Sequence, residues 1–327
     1  MFHMSEELFV TGALKDKWDR RDYRLSSVTA PIELPPQVFN LDDLFPSKNQ
    51  GVRPSCTSFA QVHHKERQEK IPLCQRFVMA LTKHLEGNTD WGATTRNTFV
   101  IVQKYGVPSS DKWPEPEQGM GWVEYVDASK IPADAYTDAV RHKSKSFWRV
   151  DKTIEAVRVA LVSQKMSIVV SMAWHRNFNR PIAGLLSMDK GDFVGGHAVE
   201  LKGFDDIKRV LIFKNSWGEG WGYQGDFYMP YEMFDEVVWD LWLSNDMDSV
   251  LPVDTRYGQP RTWASYMREK SVAFNPWLIK EIGRLPNNRE IIGLAYGFWE
   301  MESVCKARYG DLWTRMTKPE AIKQGLI

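Results

Sequence analysis

Three cysteines in 327 residues, Cys56, Cys74 and Cys305, are too few and odd in number for a secreted disulfide framework, and they fit a reducing compartment. Charge of one sign is not in excess either. Lys plus Arg and Asp plus Glu number 42 each, so no overall field favours nucleic acid or an anionic membrane. Apolar runs are short: SIVVSMAW at 167–174 is far below bilayer-spanning length. MFHMSEELFVTGALKDKWDRRD at the N-terminus lacks the apolar core of a signal peptide, which predicts an unexported, cytoplasmic protein. Repeats and low-complexity tracts are missing. His63 and His64 are adjacent, so they point in different directions on a helix, and no C-x-x-C or H-x-x-x-H accompanies them. Neither a metal nor another cofactor is expected.

What is present is a chain long enough for a large core with appendages. Residues 1–33 are polar, with the charged cluster KDKWDRRDYR, and end at the proline-marked APIELPPQV, which reads as an extended arm. The body spans 34–248. SFAQVHHKERQEK (58–70) predicts a helix that runs outward from the core as it gains charge, with Ser55 or Cys56 at its first turn. TTRNTFVIVQKYG (94–106) predicts a second helix closed by Gly106. KTIEAVRVALVSQ (152–164) has helical spacing and MSIVVSMAW (166–174) reads as a buried strand. GHAVELKGFDD, RVLIFKNSW and GDFYMPYE follow as short strands of a meander or barrel. Helices first and strands later make the fold class α+β. Residues 249–327 carry Leu294, Phe298, Met301, Cys305, Tyr309 and Leu312 at intervals of three and four, a helical extension with an apolar face suited to a protein partner.

One constellation carries chemistry. A cysteine attacks a carbonyl as thiolate, so it needs a basic neighbour and gains from a helix N-terminus, the setting expected for Cys56 in QGVRPSCTSFA. Gln50, six residues upstream, supplies an amide donor for an oxyanion. His197 opens an apolar strand after Gly195 and Gly196, which let another backbone come close. Asn215, in FKNSWGEGWG, can orient the imidazole, and Trp217 can cover that bond from water. Cys74 and Cys305 have no matching base and read as core thiols.

In that order, QGVRPSC, GGHAV and KNSWGEGWGYQG resemble the blocks around the catalytic residues of the papain/cathepsin cysteine peptidases. His197 and Asn215 lie about 140 and 160 residues beyond Cys56, close to that family's separation. LPPQVFNLDDLFP looks like the start of the mature domain, RNTFVIVQKYGVPSSDKWP is similar to its second helix, and DRRDYRL resembles an arm of bacterial-type relatives. The resemblance covers about residues 17–248. It implies a two-lobed fold, one lobe helical and one a β-barrel, with Cys56 and His197 facing each other across a groove that binds a protein or peptide. It further implies Cys56 as nucleophile, His197 as general base and acid, Asn215 as orienter, and Gln50 with the Cys56 N–H as oxyanion hole. Gly92, Gly196 and Trp217 would line the substrate groove.

Two departures stand out. The family's C-G-[SA]-C-[WY] becomes Arg53-Pro54-Ser55-Cys56-Thr57, without the upstream disulfide cysteine or the following aromatic. The segment before the domain is too short for the usual inhibitory pro-region. The expected activity is cysteine endopeptidase through an acyl-enzyme. The alternative is a weak or inactive papain-fold subunit of a larger assembly such as a virion. A cell-wall amidase or transglutaminase would share the thiolate logic but not KNSWGEGWG.

Overall fold

The computed structural model describes residues 9–17, 19, 22–27, 37–117 and 119–246, and every structural statement below concerns these. The C-terminal extension expected to be helical, Cys305 with it, lies outside them. Three helices dominate the first half. α1 (Cys56–Glu69) follows Pro54-Ser55, α2 (Gln75–Glu86) is capped by Cys74, and α3 (Thr95–Lys104) stops just before Tyr105-Gly106, as expected. At α2 the Cys74 sulfur accepts the Phe77 N–H at 3.4 Å, so this thiol takes the part usually played by a capping hydroxyl. Short helices α4 (Trp122–Tyr125) and α5 (Ala133–Ala139) complete this half. Val62 of α1, Phe77, Val78 and Leu81 of α2, and Ile101 and Val102 of α3 form one core.

The second half is a seven-stranded sheet in the order β4 (Ser146–Arg149), β9 (Val238–Asn245), β5 (Ile168–His175), β6 (Phe193–Asp205), β7 (Val210–Lys214), β8 (Asp226–Pro230), with β2 (Val38–Asn40) on β6. Every neighbouring pair is antiparallel. The consecutive pairing β6-β7-β8 is the expected meander. α6 (Ile154–Gln164) packs on this sheet through Val157, Ala160 and Leu161, and α7 (Phe234–Val237) leads into β9. A second, larger core results, with Trp174, Phe204, Phe213 and Phe227 among its members. Between the two cores lies a small cluster of Ala13, Cys56, Ala60, Phe99, Val169, Ala198 and Trp242.

The expectation that α1 runs outward into solvent is corrected. It is buried as far as Glu66, because it lies between the two halves and packs along β6. Its charges are inside because each is paired. Lys65 meets Glu69 at 2.7 Å and Asp246 at 2.5 Å, Glu66 meets Lys48 at 2.5 Å, and Arg67 meets Glu200 at 2.5 Å. Burial works against charge on Glu200, yet Arg67 overrides it and holds the carboxyl down at about 2. Removing one partner of such a pair would leave a bare buried charge, so these contacts fix how the halves meet more than they add stability.

Candidate active site

Cys56 is the first residue of α1 and fully buried. The loop that delivers it is pinned from the other half: the Gln50 N–H donates to the Ser216 carbonyl at 2.8 Å, and the Gln50 Oε1 accepts the Ser216 hydroxyl at 2.6 Å. This leaves the Gln50 Nε2 pointing to carbonyls, those of Arg53 at 2.8 Å and Val10 at 3.1 Å. His197 sits on β6 opposite Met172 of β5. Its Nε2 donates to the Asn215 Oδ1 at 2.7 Å, and the Ser216 N–H donates to the same oxygen at 2.8 Å, which fixes the amide orientation. With the proton on Nε2, Nδ1 keeps its lone pair, and this atom is buried with no hydrogen-bond partner.

Aromatic rings enclose the imidazole. Trp217 stacks on it with centroids 4.6 Å apart and planes 24° apart, and Trp174 meets it edge-on at 4.8 Å. Trp217 thus lies over the imidazole that bonds Asn215. Ser216 and Trp174 were not singled out from the sequence. Ser216 could have been, since it sits inside KNSWGEGWG, whereas Trp174 reads as one more apolar residue of a buried strand.

Residues 9–14 of the N-terminal segment pack onto these groups. Phe9 packs on Trp217 at 4.9 Å, the Val10 carbonyl rests on Gln50, and the Gly12 N–H donates to the Gly196 carbonyl at 2.8 Å. The Ala93 N–H donates to the Gly12 carbonyl at 2.9 Å, and β1 (Ala13–Leu14) pairs parallel with β3 (Ala93–Thr94). Gly92 and Gly196 line this passage for a steric reason. A Cβ on Gly92 would come within 2.0 Å of the Gly12 carbonyl, and one on Gly196 within 1.9 Å of the Ala13 carbonyl. The arm thus meets Gln50, Gly92, Gly196 and Trp217, its Gly12 amide faces the Cys56 sulfur, and Asn215 bonds His197 beneath Trp217.

This burial governs the charge states. Desolvation pushes the Cys56 thiol up to about 11, against the pull of the Ala198 and Gly12 backbone amides that face the sulfur. It pushes the His197 imidazole down to about 4, against the Asn215 bond. With the arm in place both groups are neutral across the physiological range. Among the described residues no cluster of His, Cys, Asp or Glu could hold a metal ion, and no helix is long and apolar enough to cross a membrane. Cys56 and Cys74 are free thiols.

The chain is similar to known proteins. The model of the papain family cysteine proteases matches residues 41–236. An uncharacterised peptidase C1-like protein of Acanthamoeba polyphaga mimivirus is 26% identical over 281 residues, covering 72% of this chain and 86% of that one. Zingipain-2 of Zingiber officinale is 25% identical over 188 residues, 55% of this chain and 79% of its own. Among solved structures, xylellain, a cysteine protease from Xylella fastidiosa, superposes with a TM-score of 0.64 at 24% identity, covering 72% of this chain and 96% of its own. This α+β fold is therefore the two-lobed papain-like one, the helical core and the sheet core being its lobes. The chain belongs to the papain family and is a cysteine-type peptidase, a hydrolase acting on protein or peptide substrates.

Proposed function

We propose that the protein is a cysteine endopeptidase in which Cys56, His197 and Asn215 act as nucleophile, base and orienter, and that its own N-terminal arm keeps it latent. The observation that carries this reading is the unbroken chain of hydrogen bonds from Gln50 through Ser216 and Asn215 to His197, ending at a buried ring nitrogen without a hydrogen-bond partner, while the backbone N–H of the next residue, Ala198, faces the Cys56 sulfur. In the reading, the arm leaves and water restores the ordinary acidity of both groups. His197 Nδ1 then takes the thiol proton, and the thiolate adds to the substrate carbonyl. Gln50 Nε2, which now holds a peptide carbonyl of the arm, and the Cys56 N–H receive the oxyanion. The imidazolium returns its proton to the departing amine, and a water, deprotonated by the same nitrogen, releases the acid from the thioester. Asn215 holds Nε2–H throughout.

The chain divides in this reading into an arm (1–33), a catalytic domain (34–248) that contains the family match, and an extension (249–327) available to a protein partner. The free thiols fit a reducing compartment such as the cytoplasm. The test is to treat the full chain with a peptidyl chloromethylketone between pH 6 and 8, follow peptide hydrolysis, and map the adduct by mass. Label on Cys56 with parallel loss of hydrolysis is the expected result. Hydrolysis that survives complete labelling of Cys56, or that is lost through labelling elsewhere, would overturn the assignment.

A further inference from the structure

Arg53, in the loop that delivers Cys56, is 2% exposed, and its side chain and its carbonyl face different parts of the molecule. The guanidinium reaches the segment around α4. Its Nη2 donates to the Glu117 carbonyl and its Nε to the Met120 carbonyl at 3.4 Å. Nη1 faces the Glu115 Oε1 at 3.6 Å, an ion pair without a hydrogen bond. The Tyr125 ring of α4 lies against the guanidinium, its centroid 4.8 Å from the central carbon. The carbonyl of the same residue accepts the Gln50 Nε2 and the Ser55 N–H, both at 2.8 Å. One residue thus joins Gln50 and the cap of α1 to the segment around α4. That segment continues to the loop of Gly92: the Trp122 indole N–H donates to the Thr89 carbonyl at 3.0 Å, and the Trp122 and Trp91 ring centroids lie 6.2 Å apart.

We propose that Arg53 is a positioning residue for peptide hydrolysis: its buried guanidinium fixes the carbonyl that aims the Gln50 amide at the oxyanion. This rests on the peptidase reading above, in which Gln50 Nε2 is an oxyanion donor. The last torsion of a Gln side chain is soft, so its amide points one way only when both ends are held. Here the Ser216 hydroxyl holds Oε1 at 2.6 Å and the Arg53 carbonyl holds Nε2. An NH₂ group has two hydrogens, so the second stays free to turn to the Val10 carbonyl at 3.1 Å, the oxygen whose place a substrate takes in that reading. The Arg53 clamp is only as firm as its loop. Gly51 has no side chain and Val52 is exposed, so the Arg53 side chain is the first anchor beyond Gln50. A lysine could not replace it, because a single ammonium does not meet two carbonyls and a carboxylate spread around one plane while lying on a ring. Arg53 also stands where the motif quoted above has its upstream cysteine, and this hold needs no oxidising compartment.

The test uses the full chain and two second-order rate constants for each variant: kcat/KM for a peptide substrate, and the alkylation of Cys56 by iodoacetamide. Both need the arm out, so its occupancy cancels in their ratio, whereas only hydrolysis passes through an oxyanion. Gln50→Ala is expected to lower the ratio about a hundredfold. Arg53→Met should lower it about tenfold or more, and the two substitutions together no further than Gln50→Ala alone, because one residue acts through the other. Arg53→Lys keeps the charge without the fork and should lose several-fold. Should Arg53→Met fail to fold, the Lys variant decides, several-fold below wild type and no lower than Gln50→Ala when combined with it. A wild-type ratio in the Arg53 variants, or a fall that they repeat in full on top of Gln50→Ala, overturns the proposal and leaves the peptidase reading standing. A ratio that Gln50→Ala itself does not lower removes Gln50 from that reading and the proposal with it.

Discussion

Two segments meet at Gln50, and they are held there by different forces. The block around Asn215 is fixed by short hydrogen bonds between neutral groups and by the stack of Trp217 on His197. The arm is held by single main-chain bonds over the cysteine and, at its far end, by carboxylates: Asp16 among Trp242, Arg96 and Asp240, and Asp22 between Arg96 at 2.6 Å and Arg149 at 3.4 Å. Groups that do not titrate near neutrality make a permanent scaffold, whereas a buried carboxyl makes a hold that depends on conditions. On the proposed reading, the first segment serves chemistry and the second control.

The sharpest break of the contrast is at Cys56 itself. Cys56→Ala should lower kcat by at least about a thousandfold and remove the alkylated peptide from mass maps, while the thermal midpoint moves little, since the residue contributes one small buried side chain. Second in size is the pH dependence of the arm. Its Asp16 carboxyl has an ordinary value of 3.8 when free and about 7 when bound. A group whose value rises on binding supports the bound state fully below the free value and loses that support as pH climbs through the bound one. Between pH 4 and 7 the arm should therefore loosen by up to about 4 kcal/mol, close to a thousandfold. The rate of Cys56 alkylation in wild type, divided by that in Asp16→Asn, should rise across this interval and level off above it. A flat ratio would place the grip of the arm elsewhere.

The same contrast explains what could be read from the chain. The block around Asn215 is legible because its chemistry needs particular residues at short spacing: Asn215, Ser216 and Trp217 are consecutive, and Gly196 directly precedes His197. α3, β5 and the β6-β7-β8 meander were also legible, since each is a single apolar pattern bounded by turn residues. The arm's place was not, because nothing in VTGALKD marks it as a strand. Its pairing partners are Ala93 and Gly196, whose side chains are small or missing, so the match is between backbones, which leave no trace in sequence. α1 misled for a related reason. Its charged stretch HHKERQE reads as a wet face, whereas Glu66 and Arg67 are matched by Lys48 and Glu200, the latter distant in the chain. β9 escaped because Asp240 interrupts an otherwise apolar VVWDLWL, and that aspartate accepts the Asp16 N–H.

On the scaffold side, Asn215→Ala removes the acceptor of the His197 Nε2–H and leaves that group buried without a partner. The expected loss in kcat is about 1–3 kcal/mol, roughly ten- to a hundredfold. KM should change much less, because Asn215 acts through the imidazole. Replacement by Gln should restore only part of the rate. A loss confined to KM would mean that Asn215 shapes the groove rather than orienting His197.

The smallest expected effect separates two ways in which charge could hold the arm. Arg96→Gln keeps the main-chain N–H that Asp16 uses but deletes the guanidinium that meets Asp22 at 2.6 Å and Asp19 at 3.4 Å. The Arg96 side chain and Asp19 are each about a fifth exposed, so the pairs are partly screened and should contribute about 1 kcal/mol or less. Alkylation of Cys56 should then quicken only a few-fold, and 1 M salt should erase most of the difference from wild type. Arg149→Gln deletes a partner of Asp22 too, but it also unpairs the buried Asp240 next to Asp16, so its effect should be larger and resist salt. If the two variants behaved alike, the outer ion pairs would be holding the arm and the buried Asp16 contact would be incidental to it. If Arg149→Gln alone resists salt, the grip lies in the buried contact of Asp16 with Asp240, Trp242 and the Arg96 amide.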